Sequence, residues 1–153
     1  MVTIKKIYKT QEKFNDICNY LEQNITKENL SINGGTLNYK NLTYDSDVLF
    51  VAYDNDNEKL VGYNSVIKYE DGYYIYQIAV KKEFQNQGIG KQLALKSIEL
   101  AESEKELLTA HIMEYNEASK RLFSSLGFKK LSVNNGNGFY VLDTLNKDKP
   151  FIK

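Results

Sequence analysis

The chain has little of several residue types, and each shortage excludes a class of protein. It contains one cysteine, Cys18, so no disulfide can form within it. It also contains one histidine, so no Cys/His set has the spacing of a metal site. Lysine plus arginine number 20, as do aspartate plus glutamate, which leaves no overall basic field to attract nucleic acid or anionic lipid. The sequence therefore predicts no metal and no nucleic-acid partner.

Proline and long apolar runs are also scarce. The single proline is Pro150, and no proline-rich linker divides the 153 residues, which fit one domain. We therefore predict a single domain over residues 1–153. No run approaches ~18 apolar residues, and the first residues lack the apolar core of a signal peptide. These absences predict a cytoplasmic protein with no membrane partner.

The hydrophobic pattern predicts a mixed α+β fold. A helix capped by Thr10 places Phe14, Ile17, Cys18 and Leu21 on one face, which predicts that Cys18 is a buried structural thiol. The polar stretch from Asn24 to Asp47 is predicted as a second helix with loops. Helices are also predicted from Ile89 to about Ser103 and from an N-cap at Asn116 to a C-cap at Gly127. Strands are predicted at Val2–Ile7, Val48–Asp54, Leu60–Glu70, Tyr73–Val80, Glu106–Met113 and in a final hairpin around "NNGNG" at residues 134–138. This order predicts a mixed, mostly antiparallel sheet with one parallel crossover and helices on its faces.

The segment "QNQGIGKQL" (residues 85–93) joins a predicted strand to the long helix through two glycines. The first N–H groups of a helix have no internal partner and attract anions, so this junction can bind phosphate, with Lys91 adding charge. The segment matches neither a Walker A loop nor a dinucleotide fingerprint. Two other interpretations stay open from spacing alone. In one, Gly88 and Gly90 only let the helix pack closely on the sheet, and in the other the junction binds a different nucleotide.

Two motifs together resemble the GNAT superfamily of N-acetyltransferases. Gln85, Gly88 and Gly90 match its pyrophosphate motif [Q/R]-x-x-G-x-[G/A]. Asn116 and Gly127–Phe128 match the ends of its later signature, N-x-x-A-x-x-x-Y-x-x-x-G-F, in which Ser119 stands at the alanine position. The resemblance covers residues 60–145 well and residues 2–53 in element order only.

The resemblance implies acetyl-CoA as co-substrate, with no metal. It implies a splay between the fourth and fifth strands, where pantetheine pairs with the main chain of Ile78, Ala79 and Val80 as an additional strand. The Ile78 N–H would polarise the thioester carbonyl. Asn116, Ser119 and Phe123 would line the cofactor, and Asn116 would bind its pantetheine arm. The pyrophosphate would be held by Gln85, Asn86, Gln87, Gly88, Ile89, Gly90 and Lys91.

The implied reaction is direct attack of a primary amine, from a small molecule or a peptide, on the thioester. The tyrosine that often protonates the thiolate falls at Phe123, which has no proton to give. The glutamate base of some members falls at Tyr74, so Tyr74 or Tyr76 would relay a proton through water. His111 on the fifth strand is a further candidate, as are four residues near strand ends: Glu70, Asp71, Glu114 and Tyr115.

Two consequences of the resemblance concern the protein as a whole. Dimerisation through a sheet edge is common in the family, which implies that a homodimer can form. The departures at Phe123 and Tyr74 favour a second interpretation, a catalytically impaired GNAT-fold module that binds acyl-CoA or regulates a partner.

Overall fold

The computed structural model of the chain describes residues 1–26 and 46–144, to which all structural statements below refer. The helix and loops predicted between Asn24 and Asp47 fall mostly on residues 27–45, outside the described residues. Before that gap, Glu22–Thr26 form a short π-helical turn.

The described residues form seven strands and three α-helices, most of them close to their predicted bounds. A 3-10 turn at Lys82–Phe84 lies between the fourth strand and the second helix. The elements in chain order are β1 (Val2–Tyr8), α1 (Phe14–Leu21), β2 (Val48–Asp54), β3 (Lys59–Tyr69), β4 (Gly72–Val80), α2 (Ile89–Ser103), β5 (Leu107–Met113), α3 (Glu117–Ser125), β6 (Lys129–Asn134) and β7 (Asn137–Leu142).

The strands belong to one mixed sheet in the order β1-β2-β3-β4-β5-β7-β6. The β1–β2, β2–β3, β5–β7 and β6–β7 pairs are antiparallel, whereas β4 and β5 are parallel. A parallel pair needs a crossover connection, and here α2 supplies it. The predicted fold class, a mostly antiparallel sheet with helices and one parallel pair, is confirmed.

Two compact units can be distinguished in the chain. The first comprises Met1–Ile67 and Tyr76–Ser97. The second comprises Lys68–Ile75 and Ile98–Lys153, of which residues up to 144 are described. The assignment of residues 1–153 to a single domain stays a prediction.

The core of the first unit lies between α1 and the sheet. Phe14, Cys18 and Leu21 of α1 are buried against a cluster that includes Leu49, Val51, Tyr63 and Ala79. Cys18 is fully buried, which confirms the predicted structural thiol. The Tyr63 hydroxyl forms a 2.6 Å hydrogen bond with Thr26 Oγ1, and burial raises the pKa of the Tyr63 phenol above its usual value.

The predicted cap at Thr10 is wrong, because α1 begins later. The helix starts at Phe14, and Lys13 occupies the N-cap position without a side-chain hydrogen bond. Thr10 instead lies in a turn, next to Gln11, whose Oε1 accepts a 2.6 Å hydrogen bond from the Tyr8 N–H. The backbone carbonyl of Gln11 then accepts from Phe14 N at 3.1 Å. The turn that follows β1 therefore occupies the residues where the first helical turn was predicted.

The second unit contains the parallel pairing of β4 with β5. Four successive pairs form the register, from Gly72 opposite Leu107 to Ile75 opposite Ala110. Next to the first pair, the Tyr73 hydroxyl donates a 2.7 Å hydrogen bond to Glu104 Oε1. Lys68 Nζ also lies 2.9 Å from Glu106 Oε1. These polar contacts tie the end of β3 and the start of β4 to the segment that leads into β5.

The final hairpin follows the prediction from "NNGNG". Asn135 and Gly136 both have positive φ, 55° and 78°, as a type I′ turn requires. The turn places β6 against β7, with Asn134 paired to Asn137. Along the described residues, no helix is long and apolar enough to cross a membrane.

Candidate active site

Two residues of the glycine segment have a backbone conformation that favours asparagine and glycine. After the 3-10 turn, Asn86 has a φ of 63° and Gly88 a φ of 82°. Residues with a Cβ seldom adopt positive φ, whereas glycine does so freely and asparagine tolerates it. A Cβ added at Gly88 would have no atom of the described residues within 4 Å. Close packing therefore does not explain Gly88, which faces open space.

The start of α2 presents backbone N–H groups beside Gly88. The first helical hydrogen bond there runs from Gln92 N to Gly88 O at 3.1 Å. The N–H groups of Ile89, Gly90 and Lys91 therefore precede the first bond of the helix, where donors have no intrahelical acceptor. Ile89 is buried and anchors the turn, whereas Gln85–Gly88 are exposed. A buried anchor behind exposed amides at a helix N-terminus suits an anion.

Side-chain hydrogen bonds tie the loop to the strand before it. Gln85 Nε2 donates to the Val80 carbonyl at 3.0 Å, so the first residue of the glycine motif is fixed to the end of β4. Gln87 Nε2 donates to Glu83 O at 3.4 Å. The structure thus brings together the strand end and the loop that were predicted to bind one cofactor.

The end of β4 lies beyond its register with β5. That register ends at Ile75 opposite Ala110, while β4 continues to Val80. Ile78 and Val80 are half-buried and Ala79 is buried. Gly62 of β3 approaches this segment closely, because a Cβ there would lie 3.1 Å from the Ala79 carbonyl oxygen. The main chain of these three residues is where the sequence predicts pairing with pantetheine.

Asn116 is the N-cap of α3, as predicted. Its Oδ1 accepts a 3.1 Å hydrogen bond from the Ser119 N–H. Both side chains are half-buried, whereas Ala118 is exposed. Ser119, which stands at the alanine position of the family signature, is therefore less exposed than its neighbour Ala118.

Replacing Asn116 by alanine tests how much of its role is structural. Loss of the cap bond is expected to lower the free energy of unfolding by about 1 kcal/mol. Asn116→Asp keeps an acceptor oxygen and adds a charge that the helix N-terminus favours, so it is expected to retain wild-type stability. Urea unfolding of the two variants measures the difference. Equal destabilisation by alanine and aspartate would show that the cap is not what Asn116 contributes to stability.

Phe123 occupies the position of the usual proton donor and is a packing residue. It is buried, and its ring meets that of Phe128 at a centroid distance of 5.0 Å in a T-shaped geometry. The N–H groups of Gly127 and Phe128 donate to Ser124 O and Phe123 O, both at 3.1 Å. This pattern, with Gly127 at a φ of 98°, is a Schellman motif whose hydrophobic contact is the phenylalanine pair.

Two candidate bases lie together, which the sequence reasoning missed. The Tyr74 hydroxyl is 2.9 Å from His111 Nδ1, and the two rings are in contact at 5.5 Å. The parallel register would have predicted this contact, because Tyr74 pairs with Thr109 and His111 follows Thr109 on the same face of the sheet. Tyr76, the other candidate, is 36% exposed.

The remaining candidates lie in the turn before β4 and in the turn after β5. Glu70 and Asp71 are exposed in the turn before β4, and Tyr115 is also exposed. Glu114 Oε1 lies 3.1 Å from Lys130 Nζ, and this contact raises the pKa of Lys130. Within residues 1–26 and 46–144, no group of three or more His, Cys, Asp and Glu side chains is arranged to hold a metal ion.

Comparison with known proteins defines the class. A sequence profile described as the acetyltransferase (GNAT) family matches residues 12–128. The protein is thus an acyltransferase by class. More particularly, the chain belongs to the GNAT family of acetyltransferases. No curated protein is significantly similar to it in sequence.

Solved structures show the same fold at low sequence identity. A protein from Pyrococcus horikoshii OT3 is 20% identical with a TM-score of 0.71, covering 94% of this chain and 98% of that one. The PaiA N-acetyltransferase from Thermoplasma acidophilum, in complex with coenzyme A, is 13% identical with a TM-score of 0.71, covering 94% and 99%. The ribosomal-protein-S18-alanine N-acetyltransferase from Escherichia coli is 19% identical with a TM-score of 0.68, covering 92% and 90%. These likenesses support the fold assignment.

Proposed function

We propose that this protein is an acetyl-CoA-dependent N-acetyltransferase that acetylates a primary amine of a small molecule or peptide. The observation that carries the proposal is Gly88, held at a φ of 82° with open space in front of it and the α2 N-terminus beside it. Such a turn lets a pyrophosphate approach the main chain closely. A solved relative of this fold contains coenzyme A, which supports the same ligand here.

Residues of the first unit would hold the co-substrate. The backbone amides from Gln87 to Lys91, with Gln85 at the entry, would bind the pyrophosphate. The main chain of Ile78, Ala79 and Val80 would pair with pantetheine, and the Ile78 N–H would stabilise the oxyanion. Asn116 and Ser119 of the second unit stay predicted cofactor contacts, as does Phe123.

The reaction needs no strong acid at position 123. The amine nitrogen attacks the thioester carbonyl, a C–N bond forms, and the C–S bond breaks with its electron pair on sulfur. Thiols titrate near ~8.5, so the thiolate leaves readily and takes up a proton that the attacking nitrogen loses. Binding the two substrates side by side supplies much of the remaining acceleration. A buried Phe123 is compatible with this chemistry.

Two measurements on the purified chain test the proposal. Isothermal titration is expected to show binding of acetyl-CoA, and thiol release is expected to depend on an added amine from a panel of polyamines, amino sugars, amino acids and peptides. Mass spectrometry should show one acetyl group on the accepted amine. No binding at millimolar acetyl-CoA would contradict the proposal.

A second function is favoured by one observation. Phe123 and Phe128 form a packed pair where many members carry a proton donor, which suits a module that binds acyl-CoA without turnover. Binding of acetyl-CoA with no thiol release across the whole amine panel would favour this alternative. The predicted homodimer would be tested on the same sample by light scattering.

A further inference from the structure

One face of the second unit carries a cleft of about 390 Å³ on strands β5, β7 and β6. Strand register brings its lining side chains together. His111 of β5 lies opposite Phe139 of β7, which lies opposite Ser132 of β6, and Asn137 of β7 lies opposite Asn134 of β6. Residues opposite one another in antiparallel strands, and residues two apart along a strand, share a face of the sheet. These five side chains therefore line one cleft.

The aromatic wall of the cleft is held in place by ring contacts. The Phe139 and His111 rings lie 5.0 Å apart and are inclined at 41°. The Tyr74 ring lies 5.5 Å from the imidazole, and its hydroxyl forms a 2.9 Å hydrogen bond with Nδ1. Phe139 is half-buried and His111 is exposed. Because these rings are already ordered by one another, little side-chain entropy is lost when a ligand binds against them.

The polar wall of the cleft consists of one hydroxyl and two carboxamides, from Ser132, Asn134 and Asn137. Each of these groups can both donate and accept hydrogen bonds. The described lining contains no lysine, arginine, aspartate or glutamate, so a charged group on a ligand would find no partner of fixed charge there. Such a wall is complementary to a neutral ligand whose own groups donate and accept side by side, as neighbouring sugar hydroxyls do.

The two walls together favour a sugar over a purely aromatic ligand. A sugar ring has a C–H face that can pack on a phenyl ring and a rim of hydroxyls that can bond to carboxamides. An aromatic ligand without hydroxyls would cover the polar wall and leave its donors and acceptors unpaired, which costs free energy. The cleft volume also lies within the range of small-molecule sites, about 300–1,000 Å³.

We propose that this cleft of the second unit binds a neutral sugar. The C–H face of the sugar ring packs against Phe139, and its hydroxyls bond to Ser132, Asn134 and Asn137. The inference goes beyond the proposed acetyltransferase function, because it concerns a binding site within one unit and needs no acetyl-CoA.

The first test is an NMR titration of the purified chain with glucose, galactose, mannose and N-acetylglucosamine, one at a time and without acetyl-CoA. His111 is the only histidine, so its ring resonances are assigned without ambiguity. With at least one of these sugars they are expected to shift and saturate, with a Kd on the order of 1–10 mM for a ligand of this size. Glucuronate and glucosamine carry a charge on the same ring. They should bind about threefold or more weakly than glucose and N-acetylglucosamine, because the desolvated charge gains no partner.

Two variants test the two walls separately. Phe139→Leu keeps an apolar side chain and removes the flat ring, and Asn137→Leu removes a carboxamide at similar volume. Each is expected to weaken sugar binding about fivefold. Val133→Ala is the matched control, because Val133 lies between Ser132 and Asn134 on β6 and points to the other face of the sheet. Its Kd should equal that of the wild type. Asn137→Leu, beside the hairpin turn, keeps the test valid if Phe139→Leu fails to fold.

Three results would overturn the inference. The first is no shift of the His111 resonances with any of the four neutral sugars at about 100 mM, tenfold above the weakest expected Kd. The second is an equal Kd in Asn137→Leu and Val133→Ala. The third is tighter binding of phenol than of every sugar, which would indicate an aromatic ligand instead. Because acetyl-CoA is absent from these titrations, their failure would leave the proposed acetyltransferase function standing, and a chain that does not bind acetyl-CoA could still bind the sugar.

Discussion

Replacing Gly88 by aspartate is expected to weaken acetyl-CoA binding by about 10²-fold or more. The new side chain would point away from the loop, where no atom of residues 1–26 or 46–144 lies within 4 Å of its Cβ. The new carboxylate and the pyrophosphate are both negative, and two like unit charges about 4 Å apart repel by roughly 4 kcal/mol near a protein surface, which salt reduces. Each ~1.4 kcal/mol is a factor of ten in Kd. Isothermal titration with acetyl-CoA measures the change.

Gly136 provides a matched control. It also has positive φ, 78°, and open space around an added Cβ, but it lies in the β6–β7 hairpin turn. Gly136→Asp therefore brings the same charge and a similar backbone strain, about 1 kcal/mol, without touching the proposed pyrophosphate site. Gly88→Asn separates bulk from charge and should lose less affinity than aspartate. Equal acetyl-CoA affinity in Gly88→Asp and Gly136→Asp would contradict the assignment of the loop.

The sequence of the glycine segment predicted a special backbone there but not its purpose. Two glycines before a helix predict either close packing or a cradle, because both uses need a missing Cβ. Only coordinates show that Gly88 has positive φ and empty space, and that the donor groups of Ile89, Gly90 and Lys91 precede the first helical bond. The residue types were enough to recognise the motif, but they could not show why Gly88 has to be a glycine.

Phe123 shows a limit of a different kind. The sequence showed its position in the family signature and also showed that its side chain cannot donate a proton. Its contact with Phe128 depends on the Schellman motif at Gly127, which brings residues five positions apart into ring contact. The sequence predicted the stop at Gly127 but did not predict that the two aromatic rings would pack as its hydrophobic contact.

The pairing of Tyr74 with His111 required strand register. Each residue was a separate candidate in the sequence, and the parallel crossover was predicted. A shift of one residue would turn every side chain to the other face, so strand order alone cannot bring two particular side chains together. The observed register places Tyr74 beside Thr109 and leaves His111 within reach of its hydroxyl. The register is therefore what brings the two candidate side chains into contact.

Gly72→Ala is expected to be the most destabilising of the glycine-to-alanine changes. Gly72 forms the first pair of the β4–β5 register, where the two backbones lie very close together. A Cβ there would lie 2.5 Å from the Leu107 carbonyl oxygen and 3.1 Å from its carbonyl carbon. Both are backbone atoms of the opposing strand, so relief requires β5 to move. Overpacking of this kind costs about 3 kcal/mol. At about 2–4 °C for each kcal/mol, the Tm should fall by roughly 6–12 °C.

Thermal and urea unfolding of Gly136→Ala give the comparison. That change adds the same methyl group where no atom of the described part of the chain lies within 4 Å, so only the strain of positive φ, about 1 kcal/mol, should appear. If Gly72→Ala lost no more stability than Gly136→Ala, the result would contradict the close approach of Gly72 to the Leu107 carbonyl. Because Tyr74 and His111 follow in the same register, Gly72→Ala should also weaken their hydrogen bond, with a shift in the His111 ¹⁵N resonances as the readout. Unchanged resonances would show that the Tyr74–His111 hydrogen bond does not depend on the pairing of Gly72 with Leu107.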